Sequence, residues 1–193
     1  VAEIGRPDGD QGAGRVAYQG APGSFSHEGC VALRPWDIHV PFESFEDALS
    51  AVQTGDCDCA LIPVENSTIG PVEPAATLIR ESGLTAVSEV WRPIRLALMA
   101  IPTARLADLK TAESHPIALR QCGEALRTLR LTPVEVFDTA GAARDIAEAG
   151  DPTRAAVAPM AAAEAYGLSI LRNDLQDLAD NRTRFVLLCA PEA

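Results

Sequence analysis

Lysine is almost missing from this chain: Lys110 is the single lysine among 16 basic residues. Imine-forming catalysis through a lysine amine would have to use Lys110, which stands at the start of a predicted strand, and that route is set aside. Positive charge in general is scarce. A formal net charge of −11 removes the basic footprint that nucleic-acid phosphates need, so no nucleic-acid partner is expected. It also disfavours an anionic membrane surface. A small anionic ligand stays open, because local arginines and backbone N–H groups can override the global field. No apolar run approaches the ~20 residues that cross a bilayer, so no membrane partner is expected. No charged-then-apolar leader is seen, and a cytoplasmic location is the expectation.

Cysteines are few and unpatterned. Cys30, Cys57, Cys59, Cys122 and Cys189 make an odd number at irregular spacing, which is not a disulfide framework. Cys57 and Cys59 sit two apart in a predicted strand, on one face. The expectation is small buried thiols in a reducing compartment. No Cys-x-x-Cys or His/Cys cluster has zinc spacing, so no metal site is expected.

What is present is a run of short alternating elements. A length of 193 residues with 47% hydrophobic content fits one compact domain or two small lobes around a cleft. Val1–Gly14 is Gly- and Asp-rich and aperiodic, and reads as a flexible arm. Strands are expected at 15–18, 60–62 (stopped by Pro63), 84–87, 96–101, 111–113, 134–137, 155–158, 168–171 and 185–189. Helices are expected after Ser24 or Ser26, over 44–55, 72–82, from Pro116, over 139–149 and over 160–166. Ser44 to Gly55-Asp56 followed by Ala60-Leu61-Ile62-Pro63 echoes Thr139 to Gly150-Asp151 followed by Ala155-Ala156-Val157-Ala158-Pro159. Alternating βαβ units imply a mostly parallel sheet, and the echo implies two, one per lobe. The first lobe is expected over 15–101, with strand 183–190 returning to it, and the second over 102–182. Ligands then bind between them, beyond the carboxyl ends of the strands.

Four polar turns lie where a strand gives way to a helix or loop, or opens the last strand. Gly23-Ser24-Phe25-Ser26 offers two hydroxyls and free N–H groups at a helix start, an anion site in principle, although helix capping alone accounts for it. Glu65-Asn66-Ser67-Thr68 offers an acid, an amide and hydroxyls, or simply a satisfied turn. In Ser114-His115-Pro116, Ser114 can cap the helix that Pro116 opens. His115 is a candidate base without a carboxylate placed beside it. Thr139 follows Asp138 at another helix start. Asn181-Arg182-Thr183-Arg184-Phe185 puts two cations and a hydroxyl beside a buried strand.

In order and spacing these turns, with Gln121-Cys122, Asp138-Thr139-Ala140 and Tyr166-Gly167-Leu168, resemble the prephenate dehydratase family over about Val16 to Ala190. The resemblance implies a two-lobed, periplasmic-binding-protein-like (type II) α/β fold with the active site in the interlobe cleft. It also implies conversion of prephenate to phenylpyruvate, water and carbon dioxide in phenylalanine biosynthesis, without a cofactor. A homo-oligomer, a dimer, is expected. Carried over by position, Thr183, Glu65 and Gln121 are the expected catalytic residues. Ser24, Ser26, Asn66, Ser67, Ser114, Thr139, Arg184 and Phe185 are the expected substrate-binding residues. The chain departs from the family pattern at Ile117, where the family often has Gln, and at Arg95, where it often has His. No ACT-type regulatory extension appears within the 193 residues, so phenylalanine is not expected to inhibit the chain as it stands.

Three alternatives stand beside this reading. Arogenate differs from prephenate only in an amino group for the keto group. A prephenate decarboxylase that does not aromatise its substrate would lack the hydroxyl that Thr183 supplies. A solute-binding protein for small anions would share the lobed fold.

Overall fold

The computed structural model describes residues 13–191. All but the last two residues of the expected Val1–Gly14 arm lie outside that range. Gly14 itself is tied down: its N–H donates to Asp37 Oδ1 at 3.1 Å and its carbonyl accepts from Ile38 N–H.

The chain opens with β1 (Arg15–Gln19), α1 (Phe25–Leu33), β2 (Ile38–Phe42), α2 (Phe45–Gln53) and β3 (Cys59–Asn66). The short β4 (Gly70–Pro71), α3 (Ala75–Ser82), β5 (Thr85–Pro93) and β6 (Ala97–Ala100) follow. Next come β7 (Thr111–Ser114), α4 (Pro116–Gln121), α5 (Gly123–Thr128), β8 (Thr132–Glu135) and α6 (Thr139–Ala149). The chain ends with β9 (Arg154–Ala158), α7 (Met160–Tyr166), β10 (Ser169–Arg172) and β11 (Arg182–Cys189).

Two sheets result, one per lobe. The first has the order β2-β1-β3-β11-β5 with β4 on β3, and the second β10-β6-β9-β7-β8. The architecture is the two-lobed, periplasmic-binding-protein-like α/β fold. The sheets are mixed rather than mostly parallel. The helix-linked pairs β1/β2, β1/β3, β7/β8 and β7/β9 are parallel, while β11 runs antiparallel to both its neighbours and β6 to both of its own. The long return of β11 is what adds the antiparallel strand to the first sheet.

The division at residue 101 needs correction. β6 pairs with β9 and β10 in the second sheet. Its residues Ala97, Leu98, Met99 and Ala100 are all fully buried, a pattern that only a strand covered on both faces can carry. The chain crosses between lobes at residues 94–96 and returns at 173–181. The two crossings are bonded side by side: Ile94 N–H to Asn181 O, Leu175 N–H to Leu96 O, and Leu96 N–H to Gln176 Oε1.

Each sheet packs a layer on both faces. In the first lobe, Ala48, Leu49, Val52, Ile62 and Leu188 fill one side, and Tyr18, Cys30, Leu61, Phe185 and Leu187 the other. The second lobe uses many alanines, among them Ala140, Ala143, Ala156 and Ala162, which lets α6 and α7 lie close to the sheet. Phe25 touches cores of both lobes. Gly23 lies beside it with φ +84°, and a Cβ there would stand 2.6 Å from Ala162 Cα. Any larger residue would push the lobes apart at this point.

Three local expectations fail for physical reasons. Pro63 does not stop its strand; β3 runs on to Asn66, because β11 shifts register between Arg184 and Phe185 opposite Pro63, and a bulge tolerates the missing donor. Cys57 lies before β3 rather than within it. Cys59 and Cys189, directly opposed on β3 and β11, form a disulfide. Cys30, Cys57 and Cys122 are free and buried, and burial pushes the Cys30 and Cys122 thiols up to about 12.

Candidate active site

A cleft of about 500 Å³ opens between the lobes, floored by Ile94 and Leu96 of the first crossing. Its first-lobe wall rests on β3 and β11. Asn66 and Thr183 are register partners on these strands, both buried. Asn66 Nδ2 donates to Thr183 Oγ1 at 2.9 Å and to Asn181 Oδ1 at 2.8 Å. Asn66 Oδ1 accepts from the Thr68 and Ile69 amides at 2.9 and 3.1 Å. The carboxamide is therefore saturated and its orientation fixed. Thr183 Oγ1 already accepts a bond, so its own proton is free to donate into the cleft.

Helix starts supply the rest. Ser24 caps α1, its Oγ accepting from His27 N–H, and the first internal bond of that turn is Glu28 N–H to Ser24 O. The amides of Phe25 and Ser26 precede it, and both residues line the cleft. Gly23 N–H donates to His27 Nδ1 at 3.0 Å, and the imidazole stacks on Tyr18. Burial, with His39 second, lowers the His27 pKa and keeps that nitrogen an acceptor. On the second lobe Asp138 caps α6 through Gly141 N–H, and Thr139 faces the cleft beside it. His115 caps α4: its Nδ1 accepts from Ile117 N–H at 3.2 Å. Its pKa is lowered, by burial first and Arg120 second. The ring is thus neutral with its proton on Nε2, a donor at the cleft rather than a base.

Of the residues expected from the sequence, Ser24, Ser26, Asn66, Gln121, Thr139, Thr183 and Phe185 meet at this cleft. Four do not, and strand alternation or local bonding explains each. Glu65 and Arg184 neighbour Asn66 and Thr183 in their strands, so their side chains point to the other face. There they pair at 3.1 Å, Arg184 also reaching Glu89 at 3.1 Å and lying 6.0 Å from the Trp91 ring centroid. Ser114 is fully buried and donates to Val157 O at 2.6 Å, tying β7 to β9. Ser67 Oγ accepts from Arg182 N–H at 2.9 Å, closing the β3–β11 junction.

Asn181 and Phe137 were not among the expected site residues. Asn181 opens the Asn-Arg-Thr-Arg-Phe run, and that place was its signal. Phe137, 75% exposed at the cleft mouth, lies beyond the end of β8 rather than in the strand expected over 134–137. Among the described residues, the lining carries Glu43, Glu46, Glu73 and Asp138 but no lysine or arginine. Anion recognition in the cleft proper falls on the α1 and α6 amides and on neutral donors.

Comparison with known proteins decides the family. The prephenate dehydratase family model matches residues 16–193. The chain belongs to the prephenate dehydratase family. This family member is 38% identical over 172 residues to a bifunctional N-acyl-homoserine lactone acylase/prephenate dehydratase of Komagataeibacter europaeus, covering 89% of this chain and 61% of that one. It is 36% identical to arogenate dehydratase/prephenate dehydratase 1, chloroplastic, of Arabidopsis thaliana, covering 94% of this chain and 46% of that one. The crystal structure of prephenate dehydratase from Arthrobacter aurescens, in complex with L-Phe, superposes with a TM-score of 0.84 at 30% identity. That match covers 93% of this chain and 61% of the other. The prephenate dehydratase domain described here therefore spans between about half and two thirds of the length of these relatives.

Proposed function

We propose that this domain is a carbon–oxygen lyase that dehydrates and decarboxylates prephenate to phenylpyruvate, a step of aromatic amino acid biosynthesis. The observation that carries the reading is the Asn66–Thr183 bond, which leaves one hydroxyl proton free beside the cleft. Prephenate carries two carboxylates and an allylic ring hydroxyl. Departure of carbon dioxide leaves its bonding electrons to the ring, the ring expels the 4-hydroxyl, and aromaticity supplies the driving force. Threonine is too weak an acid to protonate a leaving group outright. It stabilises charge as it builds on the departing oxygen, and it does so without reorganising, because Asn66 already holds it. The amides at α1 and α6 and the Gln121 carboxamide hold the carboxylate end in line. Glu65, paired with Arg184 on the other face, takes no part.

A second reading concerns the substrate. Among the described residues four carboxylates and no cation line the cleft, which suits the extra ammonium of arogenate better than the keto group of prephenate. The test is to incubate the protein with each substrate and compare kcat/KM. Phenylpyruvate is followed by absorbance in alkali, and phenylalanine by chromatography. Turnover of either with aromatisation supports the lyase. Decarboxylation without an aromatic product, or binding without turnover, would overturn it.

A further inference from the structure

A second hollow, about 220 Å³, lies behind the cleft and shares Ile69, Ile117 and Gln121 with it. Thr68, Arg120, Gln176, Asp177 and Asn181 complete its polar lining. The acceptors here are already engaged. Asp177 accepts from the Glu124 and Ala125 amides at the start of α5, at 3.1 and 3.4 Å. Gln176 Oε1 accepts from Leu96 N–H at 2.9 Å. Asn181 Oδ1 accepts from Asn66 Nδ2 at 2.8 Å and Thr68 Oγ1 at 3.2 Å.

The donors are not engaged. Asn181 is only 3% exposed, yet among the described residues its Nδ2 has no hydrogen-bond partner. The Gln121 carboxamide has none either, and the Arg120 guanidinium has neither a hydrogen bond nor an ion pair. Among the described residues, Arg120 is also the only cation lining either cavity. Asp177 is held by the α5 amides while the Arg120 guanidinium and the two carboxamide donors remain open, and a guanidinium beside two amides suits a carboxylate.

We propose that this hollow is a carboxylate subsite in which Arg120, Asn181 and Gln121 hold one acid group of the substrate whose ring fills the cleft. The proposal rests on the lyase reading for the identity of that substrate, but not for the existence of the site. It also supplies a cation beside a cleft whose own described lining holds none: Arg120, exposed at the hollow, adjoins Gln121, which lines both cavities. Arg120 here is a positioning residue, remote from the departing hydroxyl.

The test uses benzoate, a monocarboxylate the lyase reaction cannot consume, titrated into the ¹⁵N-labelled protein. The side-chain amide signals of Asn181 and Gln121 should shift and saturate. Arg120→Gln should weaken benzoate binding roughly tenfold or more, the weight of one charge-assisted bond, and Arg120→Lys should recover most of the loss. With prephenate, the Arg120→Gln loss should fall on KM more than on kcat. Benzoate binding unchanged in Arg120→Gln, or shifts confined to the amides of residues 25–26 and 139–140, would overturn the subsite. If no substrate is turned over but benzoate still moves Asn181 in an Arg120-dependent way, the subsite stands and the lyase reading falls.

Discussion

On the first lobe the cleft wall combines strands β3 and β11 with the starts of α1 and α2, and on the second it is made of helix starts alone. Asn66 and Thr183 face each other across β3 and β11, with every hydrogen-bonding group of the Asn66 carboxamide taken. The same two strands are joined at their far end by the Cys59–Cys189 disulfide. Across the cleft, Thr139 and His115 stand at the starts of α6 and α4, and Phe137 beside them is mostly exposed. The strand wall fixes one hydroxyl. The helix wall offers the first amides of α6, at Thr139 and Ala140, which have no partner among the described residues and can donate to an anion. On the lyase reading proposed above, this is a division of labour: bond breaking is served where the backbone is locked on both sides, and capture where it ends.

The largest effect should come from the strand wall. Thr183→Val keeps the shape and removes the hydroxyl, and kcat for prephenate should fall by about two to three powers of ten. Circular dichroism and the melting temperature check that the fold survives. Thr183→Ser should restore a substantial part of the rate. A valine variant with near-normal kcat would remove this hydroxyl from the mechanism.

Next comes the lock on the strands. The disulfide joins residues 130 apart in sequence, so opening it frees a long loop in the unfolded chain. Cys189→Ser should cost about 2–4 kcal/mol in chemical denaturation, and a reducing agent should lower the wild-type midpoint similarly. Equal midpoints with and without reductant would mean that the bond contributes nothing to holding β11.

The helix wall should give a smaller response. Asp138→Ala removes the α6 cap and should cost about 1 kcal/mol of stability, with KM affected more than kcat. If it slowed kcat as much as Thr183→Val, the contrast between the walls would fail.

The smallest effect is set by pH. Burial lowers the His27 and His115 pKa values, so the unfolded chain takes up these protons first as pH falls through about 6.5. Stability should therefore be full above that pH. It should decline below it and level off once the folded histidines are themselves protonated. Denaturation midpoints at pH 7.5 and 5.5 measure the decline, and His27→Gln should shrink it. An unchanged slope would mean that Gly23 N–H to His27 Nδ1 does not resist protonation.

How much of this was legible in the sequence depends on periodicity. The helices after Ser24, Ser44 and Asp138 announced themselves by their caps, and the buried strands by short apolar runs. β2 did not, since Ile38-His39-Val40-Pro41-Phe42 contains a proline and flanks β1 at the sheet's edge. β5 runs nine residues, well past the expected end at Val87, because its mostly exposed face carries little apolar signal. Part of each polar turn lies at the cleft, but ending β3 at Ile62 hides the alternation that sends Glu65 away from Asn66. The same alternation separates Arg184 from Thr183. The disulfide was out of reach, because it follows from the register of two strands far apart in the chain. Asn181 was visible at the head of its motif, yet its role comes from Asn66 across the sheet, which no local pattern encodes.

On the lyase reading, Asn66 acts on the reaction by orienting Thr183. The most direct test is a double-mutant cycle on kcat with Asn66→Ala, Thr183→Val and both together. If Asn66 works through the Thr183 hydroxyl, the double variant should turn over prephenate about as slowly as Thr183→Val alone. Losses that simply multiply, with the double variant slower by the product of the two single effects, would show that the two residues act independently and would contradict the account.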